Sequence, residues 1–296
     1  MKIHLNFASL YLNDKLITMK KITILSVVVM LTMSIMGCST VGNVANVIGS
    51  INLTDVETDK ELGAQMYAQI QSDPTNYPLL SETKYAEAYK HIRRITNTIL
   101  DCGAVANRDV FDWSVMIIDA DDVQNAFACP GGKIYVYTGL VLYLDNEAEL
   151  AGVIAHEIAH AATRHSTRQM QQTQGLDYVT SLLLGKNPGA LASTVAQVAG
   201  NMGGLAFSRK DEYEADNLAV YYLSHTEYNP LGVAGFFEKL IAAGQAGEAG
   251  FATYFSTHPS PPDRVQQIYA AWEAYGSIKG DDFKSRYQQV KNTFKK

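Results

Sequence analysis

Apolar residues recur every three or four positions along much of this chain, and the stretches where that spacing holds predict its helices. Residues 54–71 and 82–100 are the first two. In the second, Tyr85, Tyr89, Ile92, Ile95 and Ile99 make a stripe suited to lie over a core. The spacing shortens over 111–118 and 133–138, which are β-branched and aromatic enough to read as strands. Between them Pro130-Gly131-Gly132 marks a sharp turn, placing Phe127 and Ile134 on opposing arms of a hairpin. A helix is expected over 146–165, capped by Asp145 or Asn146. Glu147 and Glu149 stand in its first turn, where the helix dipole favours acids, and Leu150, Val153, Ile154 and Ile158 supply its apolar stripe. From 166 to 206 the period weakens, and two helices joined near 185–189 are expected. Helical spacing returns over 207–223 and again from Pro230 to about 243, where Asn229 caps and the proline takes the first turn. A proline-rich loop, 257–264, feeds a last amphipathic helix. The fold class is α+β, mainly helical, with a small sheet or hairpin beside the helix at 146–165.

The amino-terminal pattern differs. Residues 1–18 show no clear period, and then Met19-Lys20-Lys21 opens an apolar run over 22–36. A positive start and about fifteen apolar residues have the proportions of a secretory signal and are short for a membrane span. The run ends in Ile35-Met36-Gly37-Cys38, which resembles a bacterial lipobox. That resemblance implies export, lipidation of Cys38 and anchoring of the mature chain to a membrane, with Met19 as the true start. The expected organisation is a signal peptide over 1–37, a lipidated tether over 38–53 and one domain over 54–296. A plain amino-terminal anchor is the rival.

Composition narrows the picture. At 296 residues and 47% hydrophobic the chain can bury one substantial core. A net charge of -6, with no long Lys/Arg cluster, gives no footprint for nucleic acid. Cys38, Cys102 and Cys129 lack the paired spacing of a cysteine metal site. In an oxidising compartment Cys102 and Cys129 could pair, or one could be a buried thiol.

The candidate chemistry centres on His156-Glu157-Ile158-Ala159-His160, a pattern that arises by chance in roughly one in a hundred chains of this length. Four residues apart on a helix, His156 and His160 can aim two imidazoles at one ion, a good start on a zinc site. Glu157 then has the general-base position. A catalytic zinc needs a third protein ligand. His165 would be rotated about 140° from His160 on a continuous helix, so it is set aside. Glu212 and Glu214 lie on the helix at 207–223, where Glu212 shares a face with Asp216 and Glu214 turns away. Glu212 can bind metal while Asp216 bonds the far ring nitrogen of a ligand histidine. A solvated acidic face is the bland alternative.

These motifs, with Ser208-Arg209 ahead of Glu212, Asn125 to Ala128 and Thr257-His258-Pro259 followed by Arg264, resemble a family of zinc endopeptidases. It includes HtpX and the CAAX prenyl proteases, of gluzincin-type zincin fold. The chain is most like its periplasmic, outer-membrane-associated lipoprotein members such as BepA and LoiP. The resemblance implies one zinc held by His156, His160 and Glu212, with Asp216 behind them. It implies an edge strand at Asn125, Ala126 and Phe127 lining the substrate cleft, and His258 facing the metal, where it either latches the open position or donates to the oxyanion. The expected function is cleavage of misfolded or misassembled envelope proteins in the periplasm. The alternative is a latched, chaperone-like factor working with outer-membrane assembly machinery and showing little basal proteolysis.

Overall fold

The computed structural model describes residues 52–186, 188–199, 206–242, 249–258 and 263–294, all within one compact unit, Asn52–Lys296. The signal segment, Cys38, nearly all of the tether and the prolines at 259, 261 and 262 lie outside the described residues.

Helices α1 (Val56–Gln71) and α2 (Ala86–Leu100) lead into β1 (Ser114–Ile118), then β2 (Ala126–Cys129), a one-turn 3-10 helix at Pro130–Gly132 and β3 (Lys133–Tyr137). Short α3 (Thr138–Tyr143) precedes α4 (Glu147–Ala162), which runs through the middle of the domain. Beyond it lie α5 (His165–Gln174), α6 (Leu176–Leu183), α7 (Pro188–Val198), α8 (Arg209–Leu223), α9 (Gly232–Ala242), α10 (Ala249–Thr257), α11 (Arg264–Ala274) and α12 (Lys284–Asn292).

The strands form one mixed sheet in the order β1-β3-β2, with β1 parallel and β2 antiparallel to β3. The expected hairpin forms, though Phe127 faces Tyr135 and it is Ala128 that faces Ile134. Because neighbouring residues point to opposite faces, the sheet divides the core in two. Val115, Ile117, Ala126, Ala128, Ile134 and Val136 join a large core with α2, α4, α8, α9 and α11. Met116, Ile118, Phe127, Cys129, Tyr135 and Tyr137 join a smaller one with α1, α6 and α7. Both faces of the sheet are therefore buried, which suits the β-branched and aromatic residues of its strands.

Several expected boundaries move. The first strand starts at Ser114 instead of Phe111, and Thr138 opens α3 instead of closing a strand. The stretch expected to hold two helices holds three, because Gly175 at φ 85° ends α5 and starts α6. Helices α3, α10 and α12 answer to no element predicted above. Cys102 is a half-buried free thiol and Cys129 a buried one, packed in different cores, so the disulfide does not form. Among the described residues no helix is long and apolar enough to cross a membrane.

Candidate metal centre

Local chemistry sets α4 in place. The Asn146 side chain accepts a bond from the Glu149 backbone N–H at 3.0 Å, satisfying one of the free donors of the first turn. Glu147 is anchored from outside the helix by Arg94 at 2.7 Å and Arg286 at 2.6 Å. Every residue of α4 is buried, so its ligand face and its core face are both packed inside the domain. His156 and His160 sit one turn apart, their Nε2 atoms 2.9 Å from each other.

Helix α8 crosses α4 and starts with a reciprocal cap, in which Ser208 and Asp211 bond each other's backbone N–H groups. One turn on, Glu212 places its oxygens 3.6 Å from His156 Nε2 and 3.5 Å from His160 Nε2. His258, just past α10, brings Nδ1 to 3.1 Å from Glu212 Oε1 and 3.3 Å from His156 Nε2. One donor atom from each of His156, His160, Glu212 and His258 lies within 4.8 Å of the others. None of the four is more than 3% exposed.

The sequence profile of peptidase family M48 matches residues 89–271. The chain belongs to this family. It is 30% identical over 219 residues to the mitochondrial metalloendopeptidase OMA1 of Schizosaccharomyces pombe, a match covering 73% of this chain and 62% of that protein. It is 34% identical over 169 residues to the beta-barrel assembly-enhancing protease of Escherichia coli, covering 54% and 34%. Over 238 residues it is 30% identical to the metalloprotease LoiP of Escherichia coli, covering 78% and 87%. The chain thus spans about a third to three fifths of the length of most of these relatives, and nearly all of LoiP.

Zinc, the metal of M48 peptidases, fits this donor set. Three imidazole nitrogens and a carboxylate oxygen are typical zinc ligands, and a tetrahedral ion takes four. Buried lone pairs that face one another without a donor between them are costly, and a divalent cation satisfies all of them at once. Glu157 gives a second indication. Its carboxylate receives the Ala128 backbone N–H of β2, while Oε1, buried and 3.5 Å from His258 Nε2, has no hydrogen-bond partner. Burial pushes the Glu157 carboxyl up, with His258 and His156 holding it partly down.

Outside the donors stands a set of orienting contacts. Asp216 Oδ1 lies 2.9 Å from His156 Nδ1, on the far side of that ring from the cluster. Arg264, 1% exposed, holds Asp216 through Nε at 2.7 Å and Nη2 at 2.6 Å, and reaches Glu212 Oε2 through Nη1 at 2.7 Å. Burial opposes ionisation of both acids, yet Arg264 and the histidines outweigh it, holding Asp216 below and Glu212 well below the usual carboxylate range. Phe207 stacks on His160 at 4.0 Å and Tyr254 on His258 at 4.8 Å.

Of the remaining site residues, Asn125, Ala126 and Phe127 are all buried at the edge of the sheet. Phe127 stacks on Tyr135 at 4.7 Å inside the smaller core, and Asn125 Nδ2 donates to the Ala199 carbonyl at 3.1 Å. Tyr137 N–H bonds the Asn125 carbonyl, so antiparallel alternation turns the backbone groups of Ala126 and Ala128 outward from the sheet. Cys38 lies outside the described residues. Sequence reasoning gave Arg264 no role, since nothing local marks a partner 48 residues upstream.

Proposed function

We propose that this M48 chain is a zinc-dependent endopeptidase that hydrolyses peptide bonds of misfolded or misassembled cell-envelope proteins, and that it rests in a latched state. The observation that carries the reading is the buried four-donor cluster with Glu157 beside it, one carboxylate oxygen left without a partner. Zinc supplies a Lewis acid that polarises the scissile carbonyl and lowers the pKa of the attacking water. His156, His160 and Glu212 would hold the ion, and Asp216, 2.9 Å from His156 Nδ1, would orient His156 toward it. Glu157 takes the water proton at Oε1 and returns it to the departing amine, with the Ala128 N–H fixing its carboxylate. An extended substrate adds alongside β2, bonding the outward backbone of Ala126, while Asn125 and Phe127 hold that strand in place.

In this reading His258 is the latch: its Nδ1, 3.3 Å from His156 Nε2 and 3.1 Å from Glu212 Oε1, would serve as a fourth ligand to an ion held by the other three and so keep water and substrate from it. Burial of every donor favours a second reading: an assembly factor that shows little proteolysis until a partner opens it. Periplasmic location and a lipid anchor at Cys38 belong to the proposal. They are supported by the lipobox-like stretch and by relatives named LoiP and beta-barrel assembly-enhancing protease, although OMA1 relatives are named as mitochondrial.

The test is cleavage of unfolded casein by the zinc-loaded protein, comparing wild type, Glu157→Gln and His258→Ala. The proposal expects wild-type cleavage, loss in Glu157→Gln and faster turnover in His258→Ala. Undiminished cleavage by Glu157→Gln would sink the mechanism. Silence from all three with one zinc bound per chain would favour the assembly factor.

A further inference from the structure

His165 was set aside as a ligand on the premise of a continuous helix, and it is not among the four clustered donors. It is nevertheless fully buried, and its ring meets His160 with centroids 4.8 Å apart and planes at 73°. The backbone explains the contact. Helix α4 stops at Ala162, and Arg164 takes a left-handed conformation at φ 62° and ψ 36° before α5 starts at His165. That break turns residue 165 back toward the ring that a straight helix would carry it away from.

The two Nδ1 atoms lie 2.8 Å apart, a distance that requires one hydrogen between them. His160 Nε2 faces the metal-binding cluster. An imidazole that gives its Nε2 lone pair to a metal carries its proton on Nδ1. The His160 Nδ1–H therefore donates, His165 Nδ1 accepts, and the proton of neutral His165 sits on Nε2. That atom faces Glu214 Oε2 at 3.5 Å and Asp211 Oδ1 at 3.8 Å, with Arg168 paired to Asp211. The inner step is a hydrogen bond, and at the outer one His165 Nε2 faces two carboxylates at ion-pair distance without a hydrogen bond to either.

We propose that His165 is a positioning residue for the metal centre: its Nδ1 accepts the His160 Nδ1–H and so holds His160 as a metal ligand. The proposal rests on the zinc reading given above. Phe207, stacked on His160, sets the plane of that ring, and His165 sets its rotation within the plane. His165, Asp211 and Glu214 could by spacing hold an ion of their own. An ion on His165 Nε2 would force a proton onto His165 Nδ1, opposing the His160 Nδ1–H at 2.8 Å with no acceptor between. Ligation by His160 and a second ion at His165 exclude each other.

The experiment uses the full chain and two substitutions at one position. Zinc affinity is measured by competition with a chromophoric chelator at a single pH, with urea unfolding of the metal-free proteins alongside. In His165→Asn the side-chain oxygen can stand where Nδ1 stands, whereas His165→Phe keeps a ring and offers no acceptor. His165→Phe is expected to bind zinc about 10–100-fold more weakly, and His165→Asn to stay within about threefold of wild type. Equal affinity in His165→Phe, or equal losses in the two variants, overturns the proposal. Should the variants not fold, imidazole nitrogen NMR of zinc-loaded wild type decides. His165 must carry its proton on Nε2, and a proton on Nδ1 refutes it. Two zinc ions per wild-type chain would also refute it, in favour of a second metal site. Absence of zinc binding by wild type would instead remove the reading on which the proposal stands, and none of these readouts depends on proteolysis.

Discussion

Replacing Arg264 with methionine tests whether the metal centre is held electrostatically from behind. Methionine keeps much of the apolar stem while removing the guanidinium, which lies 4.2 Å over the Phe237 ring, so the change takes away the charge with little loss of buried apolar length. What is lost is a forked pair of hydrogen bonds to Asp216 and an ion pair with Glu212, all between 2.6 and 2.7 Å. Glu157, Glu212 and Asp216 bring three negative charges to the buried site. Arg264 and a divalent ion bring three positive ones, so the loaded wild-type site sums to zero and the variant to -1. Removing one partner of a buried pair typically costs about 3–5 kcal/mol, because the other charge stays behind without compensation. For a domain of this size that corresponds to a fall in melting temperature of roughly 6–20 °C. The assay is urea unfolding at pH 7, with and without zinc. The loss should be larger in the metal-free protein, where no cation remains to offset the carboxylates. Arg264→Lys keeps a charge that cannot span both acids, and should fall between the two. A loss below about 1 kcal/mol in Arg264→Met, or a lysine variant no better than methionine, would refute the reasoning.

Glu147 is bonded by Arg94, Arg286 and Tyr228, which together outweigh burial and hold its carboxyl below the usual 4.5. A depressed folded value means its contribution is full above the unfolded pKa and is lost as pH falls through the folded one. Glu147→Gln should therefore cost about 1–3 kcal/mol at pH 7, with the gap from wild type closing below about pH 4, as read by urea melts across pH. Gly152→Ala sets helix propensity against packing: a Cβ there would stand 2.6 Å from the Gly232 carbonyl carbon and oxygen. Overpacking should outweigh the gain of about 1 kcal/mol in propensity, and a more stable variant would show that α4 and α9 can separate. Zinc at one hundred times its Kd should stabilise the protein by about 2.7 kcal/mol, and by as much in Glu157→Gln, since Glu157 holds no metal in this account. Thermal melts with and without chelator read both values.

What could be read beforehand depended on whether the signal was local. His156 and His160, and likewise Glu212 and Asp216, share a helix face at a four-residue spacing, and a helix with a good cap preserves that relation whatever surrounds it. The meeting of α4 and α8 has no such local signal, and the pairing of Glu212 with the two histidines came from resemblance. His258 came the same way. Arg264 stood in the motif without a role because its partners are tertiary, and the contact of His165 was missed because one left-handed residue, Arg164, invalidates the rotation computed for a straight helix. The sheet was legible as a β2–β3 hairpin, but the parallel union of β1 with β3 depends on a crossover the turn chemistry does not record. Phe127 illustrates the cost of reading a strand by motif alone: beside the cleft in sequence, its ring belongs to the smaller core.

The central claim is a single zinc held by His156, His160 and Glu212 and closed off by His258. Crystals of the zinc-loaded protein, with diffraction recorded on both sides of the zinc absorption edge, test it most directly. The account predicts one anomalous peak per chain, bonded to His156 Nε2, His160 Nε2 and a Glu212 oxygen, with His258 Nδ1 in the fourth position. A peak bonded to His165, Asp211 and Glu214 instead, or none between α4 and α8, would contradict it.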